Sequence, residues 1–203
     1  MPITVALGGA SPFVSRSRSD GVDTIEVSTV VYRSKADVYG FLVDFPRYAS
    51  LSKYLRDVRQ DGDGSAGTNY RLRFAWWKLS YTAHSTVTGL DPPDRIDWRL
   101  TKDLDARGAW VLESARPPDD RDAATRIRFL AHYDPHSAGK GTIDLPRFVS
   151  LNWVIEKARP LVRKEAERIV ERLVTELEGE SRQAELEIRT GTDHQGSGPL
   201  ESS

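Results

Sequence analysis

The sequence predicts an α+β domain: one antiparallel sheet closed by a long C-terminal helix. Three observations predict it. Short runs alternate apolar and polar residues, turn residues separate those runs, and a final stretch repeats apolar residues at three- and four-residue spacing. The first element, Thr24–Arg33 (TIEVSTVVYR), is dense in β-branched residues and reads as a strand. Ser34, with Asp37 three residues later, nearly matches a capping box and opens a short helix through Val38, Phe41 and Leu42. Pro46 disfavours helix in the residue before it, so this helix stops near Asp44–Phe45. A second short helical turn follows from Pro46 to about Leu51.

Strand-like runs come next. Tyr54–Gln60 leads into Asp61-Gly62-Asp63-Gly64, a strong turn signal. Thr68–Trp77 sets Tyr70, Leu72, Phe74 and Trp76 against Arg71 and Arg73, and Leu79–Thr88 groups Leu79, Tyr81, Ala83 and Val87. Pro92-Pro93 interrupts the chain before Arg95–Leu100, where Ile96, Trp98 and Leu100 face away from Asp97 and Arg99. Gly108–Ser114 pairs Trp110 with Leu112, and Thr125–Tyr133 opposes Ile127, Phe129, Ala131 and Tyr133 to Arg126, Arg128 and His132. Successive short strands with one apolar face describe an antiparallel meander. From Phe148 to Leu177 the apolar residues keep helical spacing for some eight turns, and Pro160 within this run is expected to kink or split the helix. Its mixed charges, among them Glu156, Lys157, Arg163, Lys164, Glu167, Arg168, Glu171 and Arg172, read as a solvated face.

A chain of 203 residues fits one domain with tails. Residues 1–21 read as a flexible leader, 22–178 as the domain, and 179–203 as a disordered tail, because the ends cannot bury enough surface to offset the entropy of ordering. Twenty-nine Lys and Arg against 30 Asp and Glu leave a net charge of −1, which argues against nucleic acid as a partner. With no cysteine, disulfides, thiolate metal sites and cysteine nucleophiles are excluded. No apolar run approaches the roughly 20 residues of a membrane helix. The first residues lack the basic start of a secretory signal, so a cytoplasmic location is the expectation.

Catalytic and metal motifs fail on context. Gly62-x-Gly64-x-x-Gly67 satisfies a dinucleotide fingerprint but precedes a strand, not a helix whose N-terminus would receive a pyrophosphate. The same loop fails as a calcium loop, since Ser65 and Ala66 stand where a ligand and a glycine are needed. His132 and His136 are four apart, but Pro135 and the preceding strand deny them a helix; His84 and His194 have no partner in the pattern. By alternation, Glu113, His84, His132 and Trp77 point away from the apolar face. No catalytic set, metal site or cofactor is predicted, and the enzyme reading stays open only for an unrecognised buried acid or base.

The order of strand, two short helices, meander and long helix resembles the START-like (SRPBCC) superfamily, specifically its polyketide cyclase/dehydrase and coenzyme Q-binding-protein branch. The matches are Val38-Tyr39-x-Phe41-Leu42-x-Asp44-x-x-x-Tyr48, Pro92-x-x-Arg95-Ile96-x-Trp98, Gly108-x-Trp110-x-Leu112 and Leu145-Pro146 before the last helix, over residues 22–178. The resemblance implies a helix-grip fold, in which a curved antiparallel sheet wraps the C-terminal helix. Members bind lipids, quinones, sterols or polyketides; some are enzymes and some bind proteins.

A sheet gripping one helix leaves a wedge between them. The side chains expected to face it are Tyr70, Leu72, Phe74, Trp76, Tyr81, Trp98, Trp110, Leu112, Phe129 and Trp153. A wedge so lined suits a hydrophobic ring-containing or isoprenoid ligand of the lipid or quinone class, since Tyr and Trp each bring a large apolar body and one polar tip. The alternative is that the same rings fill a solid core. Two other functional readings stay open: a polyketide cyclase/dehydrase-like enzyme, and a protein-interaction module with an exposed apolar patch from Trp77, Tyr48 and Tyr54. The partners expected are therefore a hydrophobic small molecule or lipid, with transient protein or membrane-surface contact as a further option.

Overall fold

A computed structural model describes residues 22–76, 79–134, 137 and 151–193, with backbone course alone for residues 79, 151–163 and 192–193. Residues 1–21 and 194–203, expected as leader and end of the tail, lie outside the described residues, as do Trp77, His136, Leu145, Pro146, Phe148 and His194.

The first strand, β1 (Val22–Val31), leads to Ser34, whose hydroxyl accepts from the Asp37 N–H at 3.2 Å and donates to the Asp37 carboxylate at 2.7 Å. This cap opens α1 (Lys35–Leu42), and α1 buries the predicted Val38, Phe41 and Leu42. The second helical turn resolves into a 3₁₀ turn, Phe45–Arg47, continuous with α2 (Tyr48–Leu51).

A six-stranded meander follows. Its strands are β2 (Leu55–Asp61), β3 (Asn69–Trp76), β4 (Leu79–Asp91), β5 (Arg95–Leu100), β6 (Ala106–Ala115) and β7 (Ala124–Tyr133). Between β2 and β3, Gly62, Gly64 and Gly67 all adopt positive φ, at 129°, 93° and 97°. The glycine spacing therefore serves a turn that L side chains cannot follow, and a strand comes after it. The chain ends in α3 (Leu151–Glu178), one continuous helix through Pro160, so the proline does not split it.

The last element, β8 (Glu187–Asp193), departs from the expected tail. It pairs antiparallel with β1, Val27 opposite Ile188 and Ile25 opposite Thr190, and completes a curved sheet in the order β2-β3-β4-β5-β6-β7-β1-β8. Polar composition hid this strand because its contribution is backbone pairing along an otherwise open edge, which needs little apolar surface. The segment before it is pinned by charge. The Glu178 side chain, fully buried, accepts from the Tyr32 N–H at 2.9 Å and from Arg182 at 2.8 Å, while Arg182 donates to the Val30 carbonyl at 2.7 Å and stacks 4.0 Å over the Tyr32 ring.

The core lies where one half of the inner sheet face meets α1, α2 and the C-terminal half of α3. Val31, Val87, Ile96, Leu112 and Ile127 from the sheet meet Val38, Phe41 and Leu42 of α1 and Val170, Leu173 and Val174 of α3. Burying each such aliphatic side chain contributes roughly 1.5–3 kcal/mol. The connection to α2 is also polar: buried Glu165 accepts from the Ser52 hydroxyl at 2.7 Å and from the Lys53 N–H at 2.9 Å.

Candidate ligand-binding face

The strand register puts the predicted sheet residues on one face. Tyr70, Leu72, Phe74 and Trp76 of β3 stand beside Ser85, Ala83, Tyr81 and Leu79 of β4. Val87 pairs with Trp98, Ile96 with Trp110, Trp110 with Phe129, and Leu112 with Ile127. Alternation then sends Arg71, Arg73, His84, Glu113, Arg128 and His132 to the outer face, as expected. Arg128 holds Glu26 at 2.8 Å and Glu113 at 3.0 Å there.

Along the strands the inner face divides in two. Tyr70 and Leu112 are core residues, 2% and 3% exposed, and Leu72 and Trp110 pack against that core. Phe74, Trp76, Tyr81, Trp98 and Phe129 lie further along the same strands, outside the core cluster, and Phe74 is 36% exposed. Trp153 is placed near the start of α3, about 30 Å of helix from Leu173, and its side chain is outside the described residues. The sheet candidates thus form two groups: four in or against the core, and five beyond it.

A chain of ring contacts crosses from one group to the other. Tyr70 meets Phe45 at 4.6 Å between centroids, Phe45 meets Tyr48 at 5.2 Å, and Tyr48 meets Trp110 edge-on at 6.2 Å. Trp110 then meets Phe129 at 4.7 Å, and Phe129 stacks on Trp98 at 5.6 Å with 7° between planes. Gly108 makes the last contact possible. A Cβ there would lie 2.6 Å from Trp98 Cζ2 and 2.0 Å from the Leu130 carbonyl oxygen.

Phe45 and Tyr48 were not among the sequence candidates for this face. Tyr48 was instead expected on an exposed patch; the structure turns it inward, its hydroxyl donating to the Leu42 carbonyl at 2.6 Å. The three-residue spacing of Phe45 and Tyr48 in one helical turn places both on the same side, and it is the signal that finds them.

On this face Ser85 donates to the Arg99 carbonyl, whereas Tyr70 Oη and Trp98 Nε1 are buried and have no hydrogen-bond partner among the described residues. Burial first, then the charges of Asp44 and Asp63, raises the Tyr70 pKa, and burial with the Asp103 charge raises that of Tyr81. Both phenols therefore stay protonated at neutral pH and offer donors. Among the described residues no group of three or more His, Cys, Asp or Glu side chains is placed to hold a metal ion, and no helix is long and apolar enough to cross a membrane.

The family model described as polyketide cyclase / dehydrase and lipid transport matches residues 23–178. The chain belongs to that family, within the START-like (SRPBCC) superfamily. Its helix-grip fold recurs in the Zhui aromatase/cyclase from Streptomyces sp. R1128, with TM-score 0.54 and 15% identity over 76% of this chain and 93% of that one. The di-domain ARO/CYC StfQ of the steffimycin biosynthetic pathway gives TM-score 0.51 and 17% identity over 79% of this chain; the match spans 51% of StfQ. Ara h 8.0201 gives TM-score 0.50 and 15% identity over 76% of this chain and 99% of its own. At these identities the likeness is one of fold. A comparison with curated proteins finds no match.

Proposed function

We propose that the protein binds a hydrophobic, ring-containing ligand of the lipid or quinone class against the second half of the inner face, among Phe74, Trp76, Tyr81, Trp98 and Phe129. One observation carries this reading: five large aromatic or phenolic side chains share a face with the core yet lie outside it. A solid core would have buried them fully; Phe74 is 36% exposed and the other four are half-buried, which forfeits part of the roughly 1.5–3 kcal/mol that full burial of each contributes. Flat rings stack well on such side chains, at about 0.5–1.5 kcal/mol per contact beyond area burial. Within this half, Trp98 Nε1, buried and without a hydrogen-bond partner among the described residues, and the protonated Tyr81 hydroxyl would supply donors to a ligand carbonyl or ether oxygen.

The family and the two aromatase/cyclase likenesses support a second reading, catalysis of cyclisation or dehydration on a polyketide-like substrate. Protonated phenols can polarise a carbonyl, but proton abstraction needs a base; by strand alternation Asp23 of β1, opposite Tyr133, places a carboxylate at this end of the inner face. Binding of an apolar, ring-containing molecule is the part of the role that both readings share.

Native mass spectrometry of gently purified protein tests it. A co-purifying apolar mass of lipid or polycyclic size supports the reading, and an empty protein that also refuses added aromatic ketones overturns it.

A further inference from the structure

The outer face of the sheet carries a pattern that ligand binding leaves unused. Arg59 of β2 is in register with Arg71 of β3, and Arg71 with His84 of β4. One outward position further along β4, Thr86 pairs with Arg99 of β5, Arg99 with Arg107 of β6, and Arg107 with His132 of β7. Six adjacent strands thus each contribute one basic residue to a stepped row, two runs of three strands offset by one outward position at β4, with Arg73 beside the first. Two pairs in the row, Arg59 with Arg71 and Arg99 with Arg107, put like charges directly opposite one another, an arrangement that destabilises a sheet.

Arg59 is held by Asp57 at 2.9 Å. Arg71, Arg73, Arg99 and Arg107 are exposed, and none of them makes an ion pair among the described residues. Among the nearby carboxylates, Asp97 holds Arg95 at 2.8 Å, Glu26 and Glu113 hold Arg128, and Asp61, one outward position beyond Arg59, pairs with none of these arginines among the described residues. Asp105, two residues from Arg107, forms no ion pair with it. Since the whole chain has a net charge of −1, the row is a segregation of charge and not an overall excess.

We propose that this row docks a flexible acidic segment of a partner protein. Its six rungs span about 24 Å at roughly 4.8 Å per strand, the length of some seven extended residues. The row runs across the strands of a curved sheet, so a flat bilayer meets few of its rungs, whereas a chain without fixed structure follows it. Single-stranded nucleic acid would call for rings on which bases stack. The outward neighbours Asn69, Thr82, Thr86, Thr101, Ala109 and Leu130 carry no ring, and the imidazoles of His84 and His132 stand three strands apart, too far for successive bases to stack on both. Guanidinium pairs facing one another are matched by carboxylates, which relieve their repulsion and bond them bidentately.

The test is fluorescence anisotropy with a labelled decaglutamate peptide at low and at physiological salt. Wild-type protein binds it in a salt-sensitive manner, and R99Q/R107Q binds about tenfold more weakly. The charge-matched control R126Q/R189Q, on exposed arginines outside the row, binds as wild type does. R99Q/R107Q also unfolds at the same or a higher denaturant concentration, since a like-charge pair is gone. Equal affinity in R99Q/R107Q and wild type overturns the proposal, as does an equal loss in the control. So does tighter binding of oligothymidylate or phosphatidylserine vesicles than of the peptide through the same two arginines.

Discussion

The indole of Trp98 lies nearly parallel to the ring of Phe129, 5.6 Å between centroids, across the bare backbone of Gly108. β5 and β7 are not neighbours; β6 runs between them, and only its missing side chain lets the two rings meet. Any Cβ at Gly108 meets backbone on one side and the indole on the other. Gly108→Ala is therefore expected to cost about 1–3 kcal/mol in chemical denaturation, by overpacking a site whose closest neighbour cannot rotate away. Unchanged stability would mean that the stacked arrangement is not what positions Trp98.

Trp98→Ala removes the stacking partner altogether. It is expected to destabilise by roughly 3–5 kcal/mol if the indole is tightly packed, and by less if it lies at a ligand-accessible edge. Urea unfolding followed by circular dichroism measures this. Loss of ligand affinity should accompany it, and a folded variant with undiminished affinity removes Trp98 from the site.

The buried carboxylates predict an acid limb. Burial alone would raise the pKa of Glu178, but hydrogen bonds from Arg182 and the Tyr32 N–H, with the charges of Arg182 and Arg121, outweigh it and hold the value below the usual 4.5. Burial likewise opposes the Ser52 hydroxyl, the Lys53 N–H and Arg168 at Glu165, and the outcome is again a lowered pKa. A folded value below the unfolded one adds stability that is complete above about pH 4.5 and is lost as pH falls through the folded value. Denaturant midpoints should therefore drop below that pH in wild type and flatten in E165Q/E178Q. A parallel pH profile would contradict the assignment.

Truncation after Gly179 tests the C-terminal strand. Removing β8 and Arg182 uncovers the edge of β1 and leaves buried Glu178 without its cation. Breaking such a buried pair costs about 3–5 kcal/mol. Lower stability together with concentration-dependent association, seen by light scattering, is the expected result. A truncated protein as stable and monodisperse as the full chain would show that the strand is dispensable.

Much of this architecture is legible in the residues, because alternation and helical spacing report directly on which side chains need burial. Tyr70 through Trp76, Ile96 through Leu100 and Ile127 through Tyr133 fall on the inner face for that reason, and Ser34 caps α1 through the contact its spacing implies. β8 was not legible, since Glu187–Asp193 pairs through backbone groups that composition does not reveal. Nor was the division of the inner face, which depends on where α1, α2 and α3 end over the sheet. The inward turn of Tyr48 and the buried roles of Glu165 and Glu178 depend on partners over 100 residues away, or on a hydroxyl seeking the Leu42 carbonyl. Local patterns carry no trace of such partners.

The most direct measurement is calorimetric titration with α-tetralone and with tetralin, which share a ring skeleton and differ by one carbonyl. Both should bind wild-type protein, the ketone about two- to tenfold more tightly, the worth of one hydrogen bond from Trp98 Nε1 or Tyr81 Oη. Trp98→Phe and Tyr81→Phe together should abolish that preference while tetralin still binds. Heat of binding from neither compound, at concentrations up to their solubility, would contradict an apolar ligand site on this face.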